Sequence, residues 1–215
     1  MFDSFPKLLV IALSAAGLGA CTTTSSSPGG GSSGGGSSGG GAPPTTYVGD
    51  VDDFYDALAQ RESSGNASVE NTYGYLGLYQ MGEPAMMDAQ WYDETAPAET
   101  SANDWIGAWL ARAQNNGVFS KTNYLDKPNA QNVAVRDYHD RVAVYISALD
   151  LLRFEGDVIN GVEITRSGLL AACHLLGCGT VEAYLESPGG GTPADAYGTT
   201  IEEYLSLFAN YETVF

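Results

Sequence analysis

A long stretch of small and polar residues, 22–46, is the feature that most limits how this chain can fold. It contains almost only Thr, Ser, Gly and Pro. Such a segment cannot bury enough apolar surface to offset the entropy of ordering its backbone, so it predicts a flexible tether. The residues that follow, 47–215, are sufficient for one domain with a substantial core. The chain is therefore predicted to consist of a leader, a tether and a single folded domain.

The leader, residues 1–20, has the pattern of an export signal. Lys7 precedes an apolar run from Leu8 to Leu18, which is too short to remain in a bilayer as a spanning helix. The run ends in Leu18-Gly19-Ala20-Cys21, which resembles a bacterial lipobox. The resemblance implies a lipoprotein signal peptide, with Cys21 lipidated at the start of a tether that spans 21–46.

The lipobox resemblance also implies a location. Thr22, rather than an aspartate, follows Cys21, and this favours the periplasmic side of the outer membrane, with the lipid anchor as the contact with the membrane. A general secretory signal with an unmodified cysteine is the alternative.

The charge of the chain argues against one class of partner. There are 9 Lys and Arg residues against 26 Asp and Glu residues, which gives a formal net charge of −17. Because no cluster of Lys or Arg is present to neutralise phosphates, nucleic-acid binding is not expected. An anionic polymer would have to be held by hydrogen bonds and stacking rather than by a basic surface.

The folded domain opens with a predicted amphipathic helix that leads into Glu62. Asp50 is placed to cap its N-terminus and Gly65 to end it in the left-handed conformation. Glu62 lies four residues after Leu58 and eight after Phe54, so its side chain projects from the apolar face. The apolar residues that recur at helical spacing are Val51, Phe54, Tyr55, Leu58 and Ala59.

The position of Glu62 predicts that its carboxyl group has a raised pKa. The side chain is removed from water and lies in the last turn, where the helix dipole opposes negative charge. Both effects favour the protonated carboxyl and raise its pKa. A carboxylic acid that stays neutral near pH 7 can protonate the oxygen of a glycosidic bond. The alternative is a solvated surface glutamate, which is common at helix ends.

The residues around Glu62 are similar to those of the lytic transglycosylase and goose-type lysozyme superfamily, in which a Glu-Ser pair at a helix end precedes a Gly-Leu-Met-Gln type segment. The matching residues are Glu62-Ser63, Asn66, Asn71, Gly74 and Gly77-Leu78-Tyr79-Gln80. The chain departs from the pattern at Tyr79, where the family usually has methionine, and in lacking a proline after Asn66. The resemblance implies a mainly α, lysozyme-like fold with a small extended or β segment around 71–82.

The resemblance also implies cleavage of the β-1,4 bond between N-acetylmuramic acid and N-acetylglucosamine in peptidoglycan, with Glu62 as the catalytic acid and without metal or organic cofactor. Glycosidases that use two carboxylates need the second about 5–10 Å away. Glu70, Glu83 and Asp88 are available, but no motif marks any of them. This favours the transglycosylase route, in which Glu62 later acts as a base and the sugar's own 6-hydroxyl group closes a 1,6-anhydro ring.

Two other functions stay open. The first is a hydrolytic muramidase, in which water takes the place of the 6-hydroxyl group. The second is a catalytically silent lipoprotein that binds peptidoglycan.

Candidate substrate contacts follow the catalytic acid. Ser63 is part of the Glu-Ser pair, Tyr75 and Tyr79 could stack on sugar faces, and Gln80 could hydrogen-bond an acetamido group. Packing in the core is the alternative for each tyrosine.

A later stretch, 168–181, resembles the second transglycosylase signature. The alignment places His174 on a tyrosine position that faces the cleft in that family, and a buried histidine bonded to backbone is the alternative. Related lysozyme-like domains carry an Asp-Ala-x-Gly-Thr segment and a tyrosine, which 195–199 and Tyr204 match. Tyr204 is therefore a further candidate contact, with core packing as its alternative. The resemblance covers nearly all of 50–212.

Periodicity predicts further helices: one from Pro84 through Trp91, one from Asn103 to Gly117, a central one over 129–153, one beginning near Ser167 and one capped by Thr200 and Glu203. His139 lies among charged residues of the central segment, which predicts a solvated position.

The cysteines other than Cys21 predict a disulfide. Cys173 and Cys178 lie five residues apart across a helix end, and an oxidising compartment favours their pairing. Cys173 and His174 do not form a nucleophile–base pair, because neighbours on a helix point about 100° apart. Two histidines without ligand spacing argue against zinc.

Overall fold

A computed structural model describes residues 47–94, 103–188, 190–213 and 215. The predictions for the signal peptide, for Cys21 and for the tether fall outside the described residues. The folded part is mainly α with short antiparallel β segments, as the sequence predicted.

The described part of the chain contains thirteen helical and strand elements. The helices are α1 (Val51–Ser63), α2 (Glu83–Asp88), α3 (Ala111–Asn115), α4 (Lys121–Leu125), α5 (Pro128–Ala148), a 3-10 turn (Leu151–Phe154), α6 (Arg166–Leu176), α7 (Cys178–Glu186) and α8 (Ile201–Leu207). The strands form two antiparallel sheets of two strands each. The first pairs β1 (Tyr92–Asp93) with β2 (Ala108–Trp109), and the second pairs β3 (Val158–Ile159) with β4 (Val162–Glu163).

Helix α6 lies at the centre of the core. Every residue from Ser167 to Leu176 is buried, and α6 packs against α5, α7 and α8. A helix with no solvated face needs apolar neighbours on all sides. These contacts bring the C-terminal helix α8 into the interior, close to the end of α1.

The two ends of α1 are fixed by local chemistry. The Asp50 side chain accepts from the backbone N–H of Asp53, and the Asp53 side chain accepts from the backbone N–H of Asp50, so a capping box starts the helix as predicted. At the other end the left-handed cap is Ser64, with φ 55°, rather than Gly65. Gly65 follows with φ 72°, so the turn away from α1 uses two left-handed residues.

The predicted helix from Asn103 to Gly117 is wrong in its first half. Trp105 has φ 59°, and its backbone N–H donates to the Glu83 carboxylate. Trp105 and Trp109 stack with ring centroids 5.6 Å apart. Tertiary contacts of these aromatic side chains therefore hold an extended chain, and only α3 is helical there.

Three other element predictions need smaller corrections. Helix α2 ends at Asp88, so Trp91 lies beyond it; the central helix α5 ends at Ala148. The segment 71–82 has no regular strand and is held by isolated bridges, from Glu70 to Leu76 and from Leu76 to Met81.

Cys173 and Cys178 form the predicted disulfide, with Cα atoms 4.4 Å apart. Gly177, with φ 76°, separates the two helices that carry them. No single helix within the described ranges is long and apolar enough to cross a membrane; α6 and α7 pass that test only as a pair, which is bent by 118°.

Candidate active site

Glu62 occupies the last turn of α1 and faces the protein interior. It is 2% exposed, on the same side of the helix as the buried Leu58 and Phe54. The helical spacing that placed Glu62 on the apolar face therefore predicted its burial correctly.

The two carboxyl oxygens of Glu62 have different surroundings. The Tyr204 hydroxyl, from the first turns of α8, donates to Oε1 at 2.5 Å. The other oxygen, Oε2, is enclosed and has no hydrogen-bond partner among the residues that the structure describes. Because a buried polar atom normally has a partner, Oε2 is the oxygen of Glu62 that is left to interact with a bound group.

Burial raises the pKa of Glu62 to about 7. The Tyr204 hydrogen bond and the positive charge of Arg61 lower it, and the negative charge of Asp195 raises it further. Near neutral pH a large fraction of the carboxyl group therefore holds a proton. Since Oε1 already accepts from Tyr204, that proton lies on Oε2, where it can be donated to a bound group.

A shallow, open depression lies on the surface near this site. Arg61 lines it, and its guanidinium group lies 5.6 Å from the centroid of the Tyr204 ring. The other lining residues are Thr200, Glu202, Glu203, Ser206 and Leu207. The depression thus lies on the outer side of α8, and its lining includes neither Tyr204 nor Glu62, which are hydrogen-bonded on the inner side of that helix.

Asp195 is a site residue that the sequence did not single out. It is buried, and it acts electrostatically on Glu62 although the two lie far apart in the chain. In the sequence it is marked only by the Asp-Ala-Tyr-Gly-Thr segment, 195–199. The resemblance of that segment to related lysozyme-like domains assigned no role to the aspartate.

Ser63 ties the end of α1 to the segment 71–82. Its hydroxyl donates toward the backbone carbonyl of Leu78 at 2.9 Å and that of Ala59 at 3.1 Å. The Gln131 side chain from α5 accepts from the Leu78 N–H at 2.8 Å. Ser63 therefore positions the loop beside Glu62.

Gln80 makes hydrogen bonds within its own loop, and its contact with substrate stays a prediction. Its amide nitrogen donates to the Gly77 carbonyl, and its amide oxygen accepts from Asn71, both at 2.9 Å. Its left-handed backbone, with φ 45°, is held by these bonds. Gln80 therefore shapes the loop.

Tyr75 and Tyr79 are core residues, which corrects the prediction that they present ring faces to sugars. Both are buried. The Tyr79 hydroxyl donates to Asn132 at 2.9 Å, and its ring meets the edge of Tyr55. Burial raises the pKa of Tyr79 to about 12. The exposed aromatic residue of this loop is Tyr73.

His174 and His139 form a buried pair, which agrees with the alternative given for His174 and differs from the prediction for His139. His174 Nε2 lies 3.1 Å from the Tyr79 carbonyl, and His174 Nδ1 lies 3.0 Å from His139 Nε2. Because a carbonyl only accepts, His174 donates from Nε2 and accepts from His139. His174 is therefore a buried histidine bonded to backbone, which is the alternative to a substrate contact that the sequence left open.

His139 is 1% exposed, which corrects the prediction of a solvated position. The helical period places His139 on the same face as the buried Val135, Val142 and Ile146. Its charged sequence neighbours lie on other faces of α5. Burial lowers the pKa of His174 to about 4 and that of His139 well below its usual value.

The three carboxylates that the sequence offered as second acids have other partners. Glu70 pairs with Lys121 at 2.8 Å, and Asp88 accepts from the Tyr145 hydroxyl at 2.9 Å. Glu83 holds the backbone of Trp105.

Within the described ranges, no group of three His, Cys, Asp or Glu side chains is arranged to hold a metal ion. No protein-family model, curated protein or solved structure matches the chain.

Proposed function

We propose that this protein cleaves the glycan strands of peptidoglycan as a lytic transglycosylase, with Glu62 as the catalytic acid. The proposal rests above all on the Glu62 carboxyl group, which is enclosed, has a pKa raised to about 7 and keeps Oε2 without a partner in the described part of the chain. The sequence resemblance supplies the substrate, the β-1,4 bond between N-acetylmuramic acid and N-acetylglucosamine.

In the first step Glu62 Oε2 gives its proton to the oxygen of the glycosidic bond. The bond between that oxygen and C1 breaks, the oxygen keeps the electron pair, and positive charge develops on C1 and the ring oxygen. Tyr204 keeps its hydrogen bond to Oε1 and stabilises the carboxylate that forms.

In the second step the 6-hydroxyl oxygen of the same sugar bonds to C1. Its proton passes to Glu62, which returns to the protonated form, and the product carries a 1,6-anhydro ring. One carboxyl group thus acts first as acid and then as base.

Hydrolysis is the second candidate, and Asp195 is the observation that favours it. Two-carboxylate glycosidases place a second acid near the first, and Asp195 is a buried carboxylate whose negative charge raises the pKa of Glu62. In this case water would add to C1 in place of the 6-hydroxyl group.

The proposal includes a place of action. A lipid on Cys21 would hold the domain at the periplasmic side of the outer membrane. A tether of the composition of 21–46 has a root-mean-square reach of about 25–30 Å, so the domain could reach peptidoglycan close to the membrane.

Digestion of purified sacculi, followed by mass spectrometry of the soluble products, tests the proposal. A transglycosylase releases anhydro-muropeptides, which are lighter by one water than the products of a muramidase. The Glu62→Gln variant keeps the shape of the side chain and should lose activity by about 10³-fold. Glu212→Gln, an exposed carboxylate far along the chain, is the matched control and should cleave as the parent does.

Each alternative has its own outcome in this assay. Products of full mass would support the muramidase, and protein that sediments with sacculi but releases nothing would support the silent binding protein. Equal turnover by the Glu62→Gln variant and the parent would end the enzymatic proposal.

A further inference from the structure

We propose that Tyr73 and Tyr197 together form a sugar-binding subsite, on which a pyranose ring of the glycan strand stacks while Glu62 acts on a glycosidic bond of the same strand. This inference rests on the proposed function and names residues that hold its substrate. It is carried by a turn that occurs twice in the fold and by the contact between its two copies.

The same five-residue pattern occurs in two distant parts of the sequence. Residues 71–75 read Asn-Thr-Tyr-Gly-Tyr, and residues 195–199 read Asp-Ala-Tyr-Gly-Thr. Each pattern begins with a short side chain that can accept from nearby backbone N–H groups, and each has tyrosine third and glycine fourth. We call 71–75 the first tyrosine turn and 195–199 the second tyrosine turn.

The first tyrosine turn is closed by its leading asparagine. Asn71 Oδ1 accepts from the backbone N–H groups of Tyr73 at 2.8 Å and Tyr75 at 3.1 Å. The Asn71 N–H donates to the Tyr75 carbonyl at 3.1 Å, and the Asn71 carbonyl accepts from the Gly74 N–H at 3.0 Å. Gly74 has φ 77°, a conformation that favours glycine. These bonds fix the backbone of Tyr73 at the centre of the turn.

The second tyrosine turn repeats each of these bonds. Asp195 Oδ1 accepts from the backbone N–H groups of Tyr197 at 2.9 Å and Thr199 at 2.7 Å. The Asp195 N–H donates to the Thr199 carbonyl at 2.9 Å, and the Asp195 carbonyl accepts from the Gly198 N–H at 3.1 Å. Gly198 has φ 84°. Two distant segments therefore use the same closed turn to present a tyrosine.

The tyrosines at the centres of the two turns are exposed and contact each other. Tyr73 is 46% exposed and Tyr197 is 42% exposed. Their ring centroids lie 5.7 Å apart with the planes at 78°, and the Tyr197 hydroxyl lies 3.3 Å from the Thr72 hydroxyl. Rings that a closed turn holds in place lose little conformational entropy when they bind a ligand. The pair offers apolar ring faces beside polar hydroxyl groups, which matches the C–H faces and hydroxyl rim of a pyranose.

The first tyrosine turn is attached to the end of α1 that carries Glu62. The side-chain amide of Asn71 donates to Gln80 Oε1 at 2.9 Å. Two residues earlier in the same loop, the Leu78 carbonyl accepts from the Ser63 hydroxyl at 2.9 Å. The turn is thus connected to the residue that follows Glu62 in the chain.

The second tyrosine turn is attached to the helix that holds Glu62 from the other side. The Ile201 N–H donates to the Pro193 carbonyl at 2.9 Å, which anchors the segment before the turn to the start of α8. Tyr204, about one turn further along α8, donates to Glu62 Oε1 at 2.5 Å. The contact between the two tyrosine turns therefore closes a continuous set of contacts that begins and ends at Glu62.

A sugar ring of the glycan strand is the ligand that fits this pair. Because the chain has a net charge of −17, an anionic polymer has to be held by uncharged contacts. Tyr75 and Tyr79 are buried, so Tyr73 is the tyrosine of the loop 71–82 that exposes its ring. Binding energy gained away from the reacting bond lowers KM without raising kcat. Tyr73 and Tyr197 are therefore assigned to binding and take no part in the proton transfer.

Binding of glycan strands by a protein that cannot cleave them tests the inference. Sacculi freed of stem peptides by an amidase are sedimented with the Glu62→Gln protein, and the bound fraction gives Kd. Addition of Tyr73→Ala or Tyr197→Ala should weaken binding about tenfold, because each removes one ring of the pair. With Glu62 intact, the same substitutions should raise KM for release of muropeptides and leave kcat within about twofold.

Two sets of variants serve as controls. Tyr47→Ala removes another exposed tyrosine, which precedes α1 at the end of that helix opposite to Glu62, and it should change neither binding nor KM. Tyr73→Phe and Tyr197→Phe keep the rings and should bind within about threefold of the protein with both tyrosines.

Unchanged binding in either alanine variant would overturn the inference, and so would a loss in the phenylalanine variants as large as that in the alanine variants. Failure of the Glu62→Gln protein to bind peptide-free strands would also overturn it. If the parent releases no muropeptides, the proposed function fails, and the sedimentation assay still decides whether the pair binds glycan. Should an alanine variant not fold, the leucine variant, which keeps apolar bulk without a ring face, undergoes the same measurements.

Discussion

Two of the buried titratable sites in the described part of the chain are the Glu62 site and the pair of His139 and His174. Burial favours the neutral form at both sites, since it raises the pKa of the acid and lowers the pKa of the bases. His139 lies in the middle of α5, where the rings of Phe54, Tyr55 and Tyr138 surround it, and His174 lies in the last turn of α6. Glu62 lies in the last turn of α1, next to Arg61 in the chain, and the negative charge of Asp195 acts on it.

The difference between these sites shows that a shifted pKa alone does not mark a functional residue. The ring nitrogens of the histidine pair make hydrogen bonds that connect α5, α6 and the loop at Tyr79. The role of the pair is therefore structural. Glu62 has one oxygen fixed by Tyr204 and another left without a protein partner in the described ranges. A shifted pKa combined with a charged neighbour and a proton available for transfer is what points to chemistry.

The largest expected effect concerns the histidine pair. In the Glu62→Gln variant, stability should fall by about 4 kcal/mol between pH 8 and pH 5. The unfolded chain binds protons on both histidines below pH 6.5, whereas the folded chain keeps them neutral until about pH 4 at His174. Urea unfolding at the two pH values measures this loss. A loss below about 1 kcal/mol would show that the rings titrate normally in the folded protein.

The second prediction separates the contribution of Glu62 to the pH dependence of stability from that of the histidine pair, by the same urea unfolding experiment. Because the pKa of Glu62 is raised, its contribution to stability is fully present below about pH 4.5 and is lost as the pH rises through about 7. The parent should therefore lose about 2–3 kcal/mol less than Glu62→Gln between pH 8 and pH 5. Parallel curves for the two proteins would contradict a raised pKa at Glu62.

The sequence predicted Glu62 better than it predicted the other members of these sites, for a physical reason. Helical spacing relates Glu62 to Leu58 and Phe54, so one local period determined which way it faces. The same period, applied from Val135 to Ile146, would have placed His139 in the core, but its charged neighbours suggested a solvated face.

Long-range contacts explain the other differences. The segment 193–199, which holds Asp195, folds onto the start of α8 through the bond from the Ile201 N–H to the Pro193 carbonyl, and no local period describes such a loop. Trp105 and Trp109 have helical spacing, yet their rings stack from an extended chain whose backbone Glu83 holds. Tyr79 and Gln80 belong to a motif that suggested substrate contacts, whereas their atoms make contacts within the protein.

Tyr204→Phe should have a smaller effect, which is confined to the Glu62 site. Loss of the hydroxyl group removes the donor to Oε1, so the pKa of Glu62 rises and activity falls about tenfold. The fall in activity at high pH should move to a higher pH. The pH profile of kcat/KM measures both changes, and a shift to lower pH would be inconsistent with a hydrogen bond that stabilises the carboxylate.

The smallest expected effect is that of Ser63→Ala, which should cost about 1 kcal/mol of stability through loss of the hydrogen bond to Leu78. Ser68→Ala is the matched control, since the Ser68 hydroxyl is exposed and lies 3.5 Å from its acceptor, the Leu125 carbonyl. Thermal unfolding compares the two variants. Equal stability would show that Ser63 does not hold the loop.

The central claim is that the proton on Glu62 in the resting protein is the proton that cleaves the glycan. The most direct test follows the ¹³C shift of the Glu62 carboxyl carbon with pH and measures kcat/KM for sacculus cleavage over the same range, because this ratio reports the pKa of the free enzyme. We predict that the carboxyl group titrates at about pH 7 and that activity falls with the same midpoint as the pH rises. Titration at its ordinary value, or an activity that does not follow the Glu62 titration, would contradict the account.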